Sequence, residues 1–350
     1  MRKYLNKGLL YEWFTASKVP ILIGLITWGI VAHMILKSDI MLIKNEIAQA
    51  ESNSFYTVDL GEYFILGVIF LAIYIFASGV SKRNTTMFLC SGPYTKKQIK
   101  INELICLLIT LGLFILMYVY IAFTIYVRNN ELIFIINGFP QVILIEVIRL
   151  LLFGIIGILL MLVIDLLFSN SIMAYFGMMA LGVSTICIFE KFTTIMNYFR
   201  SYERIMNNIF GNIIHNNVDH INIMFSRGNF YENELGMIFK GIIFLVAVIG
   251  VLLVLFNISE KRAKLETSSK IFSCKANENM IVVYLSLGIG AFINIIITDI
   301  FFRHSIYRIG KITPLLNSDL VKMLTTDVIS IAIITFISYK IIKKILKVVG

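Results

Sequence analysis

Charged residues are scarce in this sequence, and their scarcity excludes most classes of soluble protein. Asp, Glu, Lys and Arg make up 15% of the 350 residues, whereas hydrophobic residues make up 58%. A soluble domain carries about 25% charged residues, and a chain of this length could not bury so much apolar surface in one or two cores. The composition, with a mean hydropathy of +0.86, therefore predicts an integral membrane protein.

Cysteine and histidine are also rare, which excludes several kinds of reactive site. The four cysteines have no close spacing, so they form neither a disulfide framework nor a CxxC motif. The four histidines show no HExxH motif or other metal-ligand spacing. The chain has no GxxxxGK[ST] motif for nucleotide phosphates, and no nucleophile and base can be paired from spacing. We therefore expect no enzymatic activity, metal or cofactor in this chain.

Eight apolar runs are long enough to cross a bilayer, where a helix needs roughly 20 mostly apolar residues. They lie at residues 19–36, 64–80, 104–127, 142–168, 171–189, 239–256, 280–302 and 328–339. The last run is short, and the stem of Lys340 and the isoleucines after it extend it. The predicted fold class is an all-α, polytopic membrane bundle of about eight transmembrane helices.

The net charge of +10 follows the ends of these runs and does not indicate a surface for nucleic acid. Lys and Arg collect in 1–18, 81–103, 257–279 and 340–350 at about twice their density in 37–63, 128–141, 190–238 and 303–327. Cytoplasmic segments of membrane proteins are enriched in Lys and Arg, so both termini are predicted to be cytoplasmic. We expect these basic residues to contact anionic lipid headgroups.

Residues 1–18 predict an amphipathic helix that lies along the membrane surface before the first span. Leu5, Leu9, Trp13 and Phe14 recur at helical spacing, and charged residues oppose them. Trp13 is the expected interfacial anchor, because indole rings favour the depth of the lipid headgroups. A disordered tail is the alternative interpretation of this segment.

Ionisable residues inside the predicted spans are informative, because charge is costly in hydrocarbon. Glu146 and Arg149 lie three residues apart on the fourth span, close enough to pair on one helix face. Asp165 lies near the inner end of the same span. Glu146 and Arg149 either line a polar path or subunit interface, or form an ion pair near the outer headgroups. For Asp165 a position close to the membrane interface is the simpler interpretation.

Segment 81–103 joins the second and third spans and carries the clearest local signal. Gly92 and Pro93 break the chain, and Thr95 followed by Gln98 fits a capping box at the start of a helix. We expect that helix to continue through three lysines into the third span. Segment 81–103 would then be a basic elbow that is attached rigidly to a span. Such an elbow is suited to transmit the movement of a cytosolic partner into the membrane. An ordinary positively charged turn is the alternative.

The order of these parts resembles the permease subunits of ABC-2 type transporters. Their intracellular loop often contains apolar residues, a proline, a Ser or Thr, two basic residues and then a helix, and residues 88–103 are similar. The amphipathic N-terminus, the short turn Ser169–Asn170 and the long outer connection 190–238 match the layout of the family. This resemblance covers residues 1–257. Residues 258–270 look like a loop of an eight-span bacterial subgroup.

The resemblance implies a six-span core at 19–257, followed at 258–350 by a cytoplasmic loop, two further spans and a basic tail. It also implies a cytosolic ATPase dimer that binds ATP and Mg²⁺, and a second, related permease subunit. The residues expected to contact the ATPase are Pro93, Tyr94, Thr95, Lys96, Lys97 and Gln98. The implied role is export across a bacterial plasma membrane, linked to envelope stress or antimicrobial-peptide defence.

Two other functions remain open on the sequence alone. One is an ion-coupled secondary transporter, which needs buried carboxylates near the middle of the membrane. The other is a non-transporting sensor or immunity protein, in which the connection 190–238 captures a peptide or lipid and signals inward. Neither the substrate nor the direction of transport follows from the sequence.

Overall fold

The computed structural model describes residues 6–48, 60–78, 82–129, 139–169, 171–200, 235–262, 271–309 and 317–349. Nearly all of these residues are helical. The described helices are α1 (Lys7–Ala48), α2 (Leu60–Ser78), α3 (Lys82–Ser91), α4 (Lys96–Arg128), α5 (Phe139–Leu167), α6 (Ser171–Arg200), α7 (Leu235–Arg262), α8 (Lys275–Ile309) and α9 (Asn317–Val349). An isolated antiparallel bridge pairs Phe168 with Phe272.

Seven helices in the described part of the chain are long and apolar enough to cross a membrane. Their apolar stretches are Lys7–Ser38, Lys96–Ile125, Ile143–Leu167, Ile172–Phe192, Gly241–Lys261, Lys275–Thr298 and Leu320–Lys347. The predicted class, an all-α polytopic membrane bundle, is therefore confirmed. The second expected span falls on α2, whose apolar stretch Ile65–Phe76 is shorter. The count of eight and the side of each terminus stay predictions.

α1 is one helix of 42 residues, with Pro20 inside it. Asn6 caps its start, because the side-chain Oδ1 of Asn6 accepts the N–H of Gly8 at 2.9 Å. The expected boundary at residue 18, between a surface helix and the first span, lies inside this continuous helix. The position of residues 1–18 along the membrane surface stays a prediction. Proline is tolerated in membrane helices because neighbouring groups satisfy the carbonyl that it leaves without a donor.

The helices on either side of the predicted outer connection 190–238 extend into that range. α6 continues to Arg200, and α7 begins at Leu235. Residues 201–234 lie outside the described residues. The apolar pattern stops near Phe189, but the backbone remains helical for about three further turns of 3.6 residues.

One compact unit of the chain covers Met1–Val163 and Asn217–Lys261. In it α1 packs against α2 and α4. α1 and α4 run parallel, since Asn6 bonds to Asn102 near their starts and Lys44 bonds to Asn129 near their ends. Midway, the buried indole N–H of Trp28 donates to the carbonyl of Phe114 at 3.2 Å. This bond satisfies a donor that has no water to contact in the core.

The other compact unit covers Ile164–Asn216 and Arg262–Gly350, and in it α8 packs against α6 and α9. Small residues allow the close packing. A Cβ atom added at Gly288 would lie 2.5 Å from the Cβ of Ser184 on α6, and one added at Gly290 would meet Thr335 on α9. At these two positions glycine lets the backbones of neighbouring helices approach closely, as small residues do at other interfaces between membrane helices.

The compact units group the fifth predicted span, on α6, with the two C-terminal helices α8 and α9. This grouping follows packing within the chain. The functional division predicted at residue 257 stays a prediction. Residues 271–273 close the end of α5 within the same unit, because Ser273 donates its N–H to the carbonyl of Leu167 at 3.1 Å. The terminal carbonyls of a helix need such outside donors.

Candidate functional site

The elbow lies between α3 and α4 and has the form that the sequence predicts. α3 ends at Ser91, whose hydroxyl donates to the carbonyl of Phe88 at 2.7 Å. The N–H of Gly92 donates to the carbonyl of Leu89 at 3.2 Å, and the chain turns at Gly92 and Pro93. α4 then begins and continues without a break into an apolar stretch.

A reciprocal pair of hydrogen bonds fixes the start of α4. The backbone N–H of Thr95 donates to Oε1 of Gln98 at 2.9 Å, and the N–H of Gln98 donates to Oγ1 of Thr95 at 3.3 Å. This arrangement satisfies two backbone donors at the helix terminus and confirms the predicted capping box. The side chain of Asn102 continues the pattern by donating to the carbonyl of Gln98 at 2.8 Å.

The elbow also contacts two other helices of its unit. The ammonium of Lys96 donates to the carbonyl of Glu260 in the last turn of α7, at 2.9 Å. The N–H of Asn6, just before α1, donates to Oδ1 of Asn102 at 3.3 Å. Tyr94 lies against the first turn of α1, since a Cβ added at Gly8 would be 3.2 Å from its hydroxyl. The elbow is therefore tied to α1 and α7 as well as to α4.

The residues expected to contact an ATPase divide into two groups by burial. Pro93, Thr95 and Lys97 are exposed, whereas Tyr94, Lys96 and Gln98 are partly buried. Each member of the partly buried group contacts another residue of the chain, and the exposed Thr95 bonds to Gln98. Phe88 adds a large apolar side chain that is 77% exposed. Aromatic side chains are enriched at protein-binding surfaces.

A buried ion pair and a cysteine adjoin this surface. Nζ of Lys100 lies 3.0 Å from Oε2 of Glu103, and both side chains are buried. Burial raises the pKa of the Cys90 thiol, and the charge of Lys96 opposes part of that rise. The thiol of Cys90 is therefore a weak nucleophile at neutral pH.

The predicted pair on the fourth span forms inside the protein. Oε1 of Glu146 lies 2.5 Å from Nη1 of Arg149, and their side chains are 4% and 1% exposed. Asp165 lies 19 residues further along the same helix, about 28 Å at 1.5 Å per residue. The structure therefore joins Glu146 with Arg149 and leaves Asp165 out of the pair. Such a buried pair is costly to break, because the remaining charge would have no counterpart.

Trp13, the expected interfacial anchor, lies on the second turn of α1. Its ring contacts Phe14 edge to face, with centroids 5.2 Å apart. Its indole N–H has no hydrogen-bond partner in the described part of the chain. The role of Trp13 as an anchor stays a prediction.

A third buried ion pair joins two residues that the sequence places in outer connections. Nζ of Lys191 on α6 lies 2.8 Å from Oδ2 of Asp327 on α9, and their side chains are 3% and 1% exposed. The ammonium of Lys191 also donates to Oγ1 of Thr298 on α8 at 3.2 Å. The hydroxyl of Thr298 lies 2.8 Å from Oδ1 of Asp327. One residue from each of three helices therefore meets at a single buried point.

The polar cluster continues along α8 and α9. The side-chain amide of Asn294 donates to the hydroxyl of Ser330, and that hydroxyl lies 2.6 Å from the carbonyl of Thr326. Asn294 and Thr298 are four residues apart, and Asp327 and Ser330 are three apart. These spacings of polar residues on otherwise apolar helices are the feature of the sequence from which the cluster could have been predicted. They indicate a polar stripe on each helix, facing a neighbour.

No group of three or more His, Cys, Asp and Glu side chains could hold a metal ion in the described ranges. Comparisons with models of protein families, with curated proteins and with solved structures gave no match to this chain. The function is therefore inferred from the residues of the chain itself. They define a helical membrane protein with an exposed elbow in one compact unit and a buried ionic cluster in the other.

Proposed function

We propose that this chain is the membrane-spanning permease subunit of an ABC transporter in a bacterial plasma membrane. The observation that carries the proposal is the elbow, where an exposed turn leads directly into the 33-residue helix α4. Both termini and the elbow are assigned to the cytoplasm by the distribution of Lys and Arg. We propose export as the direction, linked to envelope stress or antimicrobial-peptide defence.

The geometry supports this function by coupling the exposed turn to several helices. A force applied at Pro93 and Lys97 acts at the first turn of α4, and the capping box keeps that turn helical. The bond from Lys96 to Glu260 carries part of the force to α7. The bond between Asn6 and Asn102 carries part of it to α1. A movement of the elbow would thus tilt three helices together.

ATP hydrolysis belongs to a separate cytosolic ATPase dimer in this proposal, with ATP and Mg²⁺ bound there. A second permease subunit, identical or related, would complete the path across the membrane. The exposed side chains of Phe88, Pro93 and Lys97 would contact the ATPase. The partly buried Lys96 and Gln98 would hold the turn in position.

The proposal is tested by purifying the tagged chain from its native membrane and identifying the proteins that accompany it. We expect a stoichiometric ATPase, and we expect Pro93→Gly combined with Lys97→Glu to remove it while the variant remains monodisperse. The matched control is Lys18→Glu, an exposed charge reversal on α1 away from the elbow. If no ATPase accompanies the wild-type chain, the proposal fails.

An ion-coupled secondary transporter is a second candidate, and the buried carboxylate of Asp327 favours it. Asp327 lies seven residues inside the apolar stretch Leu320–Lys347 and meets Lys191 from another helix. Buried ionisable residues between membrane helices often mark ion pathways. Reconstitution of the chain alone decides between the candidates. Uptake or efflux driven by an ion gradient without ATP, and lost in Asp327→Asn, would support this second candidate.

A further inference from the structure

The C-terminal end of α9 presents a basic face. Lys340, Lys343, Lys344 and Lys347 are spaced so that their side chains project from one side of the helix. They span about 10 Å of helix at 1.5 Å per residue. Residues 328–350 contain no Asp or Glu. The lysines therefore form a stripe of like charge with no acidic residue in this part of the sequence to balance it.

Helix capping accounts for only one of these lysines. A positive charge is favourable near the C-terminus of a helix, and the effect fades beyond the last turn. Lys347 is the basic residue in the last turn of α9. The other three lie further from the terminus, and the ammonium groups of two of them lie over aromatic rings. Nζ of Lys340 is 4.5 Å from the ring centre of Phe336, and Nζ of Lys343 is 5.1 Å from that of Tyr339.

An exposed apolar stripe runs beside the lysines. Ile337, Ile341 and Ile345 recur every four residues and are 50%, 53% and 54% exposed. Adjacent basic and apolar stripes on one helix are typical of segments at a membrane surface. A soluble acidic protein would satisfy the lysines, but it would leave the isoleucines to be covered in some other way. A lipid supplies both a negative headgroup and an apolar chain, so it matches both stripes.

We propose that this end of α9, residues 336–347, is a binding surface for the headgroups of anionic membrane lipids. The lysine ammonium groups contact the lipid phosphates, and the three isoleucines contact the adjoining acyl chains. The surface requires that α9 crosses or enters a membrane, but it does not depend on an ATPase partner. Screening by salt weakens the phosphate contacts, because they lie at an exposed surface.

Photocrosslinking tests the proposal on the full chain in vesicles. The chain is reconstituted with photoactivatable phosphatidylglycerol or phosphatidylcholine at equal fractions, and adducts on residues 336–347 are counted by mass spectrometry. We expect several-fold more adducts with phosphatidylglycerol. We expect this preference to be lost when all four lysines become glutamine, because the lysine charges supply the attraction to anionic headgroups.

Matched variants keep the test decisive. Replacing all four lysines by arginine should retain the preference, because the charge remains. Lys344→Gln should lower it, whereas Lys322→Gln, an exposed lysine near the other end of α9, should not. High salt should reduce the preference in the wild-type chain. Equal labelling by both lipids in the wild-type chain, or a preference that survives in the four-glutamine variant, would overturn the proposal.

Discussion

Lys96 holds the last turn of α7 through a hydrogen bond of 2.9 Å from its ammonium to the carbonyl oxygen of Glu260. The final carbonyls of a helix have no partner within the helix, and the helix dipole makes that end favourable for a cation. Lys96 therefore acts as a C-terminal cap that a different helix supplies. The contact joins the start of α4 to the end of α7 across 164 positions of sequence.

Replacing this cap should loosen α7 without unfolding the chain. We expect Lys96→Met to lower the free energy of unfolding by about 1 kcal/mol, because one charge-assisted bond at a helix end is lost. In thermal unfolding of the detergent-solubilised protein this corresponds to a fall in Tm of about 1–3 °C. Lys18→Met, at an exposed position on α1, should leave Tm unchanged. An equal loss in both variants would show that the contact with Glu260 contributes nothing.

The capping box should protect the first turn of α4. We expect Thr95→Ala to cost about 1 kcal/mol and Thr95→Ser to cost only a few tenths, because serine keeps the hydroxyl that accepts the N–H of Gln98. Hydrogen exchange followed by mass spectrometry measures the effect locally. Exchange over residues 96–100 should be faster in the alanine variant and near wild type in the serine variant. Unchanged exchange in Thr95→Ala would contradict the assigned role of the box.

These two contacts show which features the sequence could predict. Thr95 and Gln98, like Glu146 and Arg149, are three residues apart, so helical geometry alone brings each pair together. Hydropathy likewise identified the helices that could cross a membrane, because lipid demands long apolar stretches. Such local patterns need no knowledge of which helices pack together.

Contacts between distant helices could not be predicted in the same way. Lys191 and Asp327 lie where the apolar runs end, so their positions indicated outer connections. The structure instead pairs them inside the bundle, because helices α6, α8 and α9 present polar residues at one level. The unbroken length of α1 could not be predicted for a related reason. Neither its amphipathic start nor Pro20 ends the helix, and packing along α4 supports its full length.

The pair of Lys191 and Asp327 should show strong coupling in stability. We expect Lys191→Met and Asp327→Leu each to lower the free energy of unfolding by about 3 kcal/mol, because each leaves a buried charge without its counterpart. The double variant should be less destabilised than the sum of the single variants, since it leaves no isolated charge. Thermal unfolding of the four proteins measures this coupling. Additive losses would mean that the two charges do not interact.

Cys90 offers a test of the side on which the elbow lies. In a variant whose other cysteines are alanine, a membrane-impermeant thiol reagent should label Cys90 in inside-out vesicles and not in right-side-out vesicles. Labelling should be slow at neutral pH, because burial raises the pKa of this thiol and the thiolate is the reactive form. Below that pKa, each rise of one pH unit should increase the rate about tenfold. Labelling from the outer side would reverse the predicted orientation.

Close packing of α8 against α6 should depend on the absence of a side chain at Gly288. We expect Gly288→Ala to lower the free energy of unfolding by about 1–3 kcal/mol, because the added Cβ would lie 2.5 Å from the Cβ of Ser184 and the helices would have to separate. Ser184→Gly in the same chain should restore part of the loss. The restoration is partial because the added Cβ would also lie 2.9 Å from the Cα of Ser184.

Gly182→Ala is the matched control on α6, where an added Cβ meets no described atom within 4 Å. Alanine should be neutral or slightly stabilising there, since it favours helix more than glycine does. Thermal unfolding of the four proteins distinguishes a steric clash from a general effect of losing glycine, which would lower Tm equally at both positions.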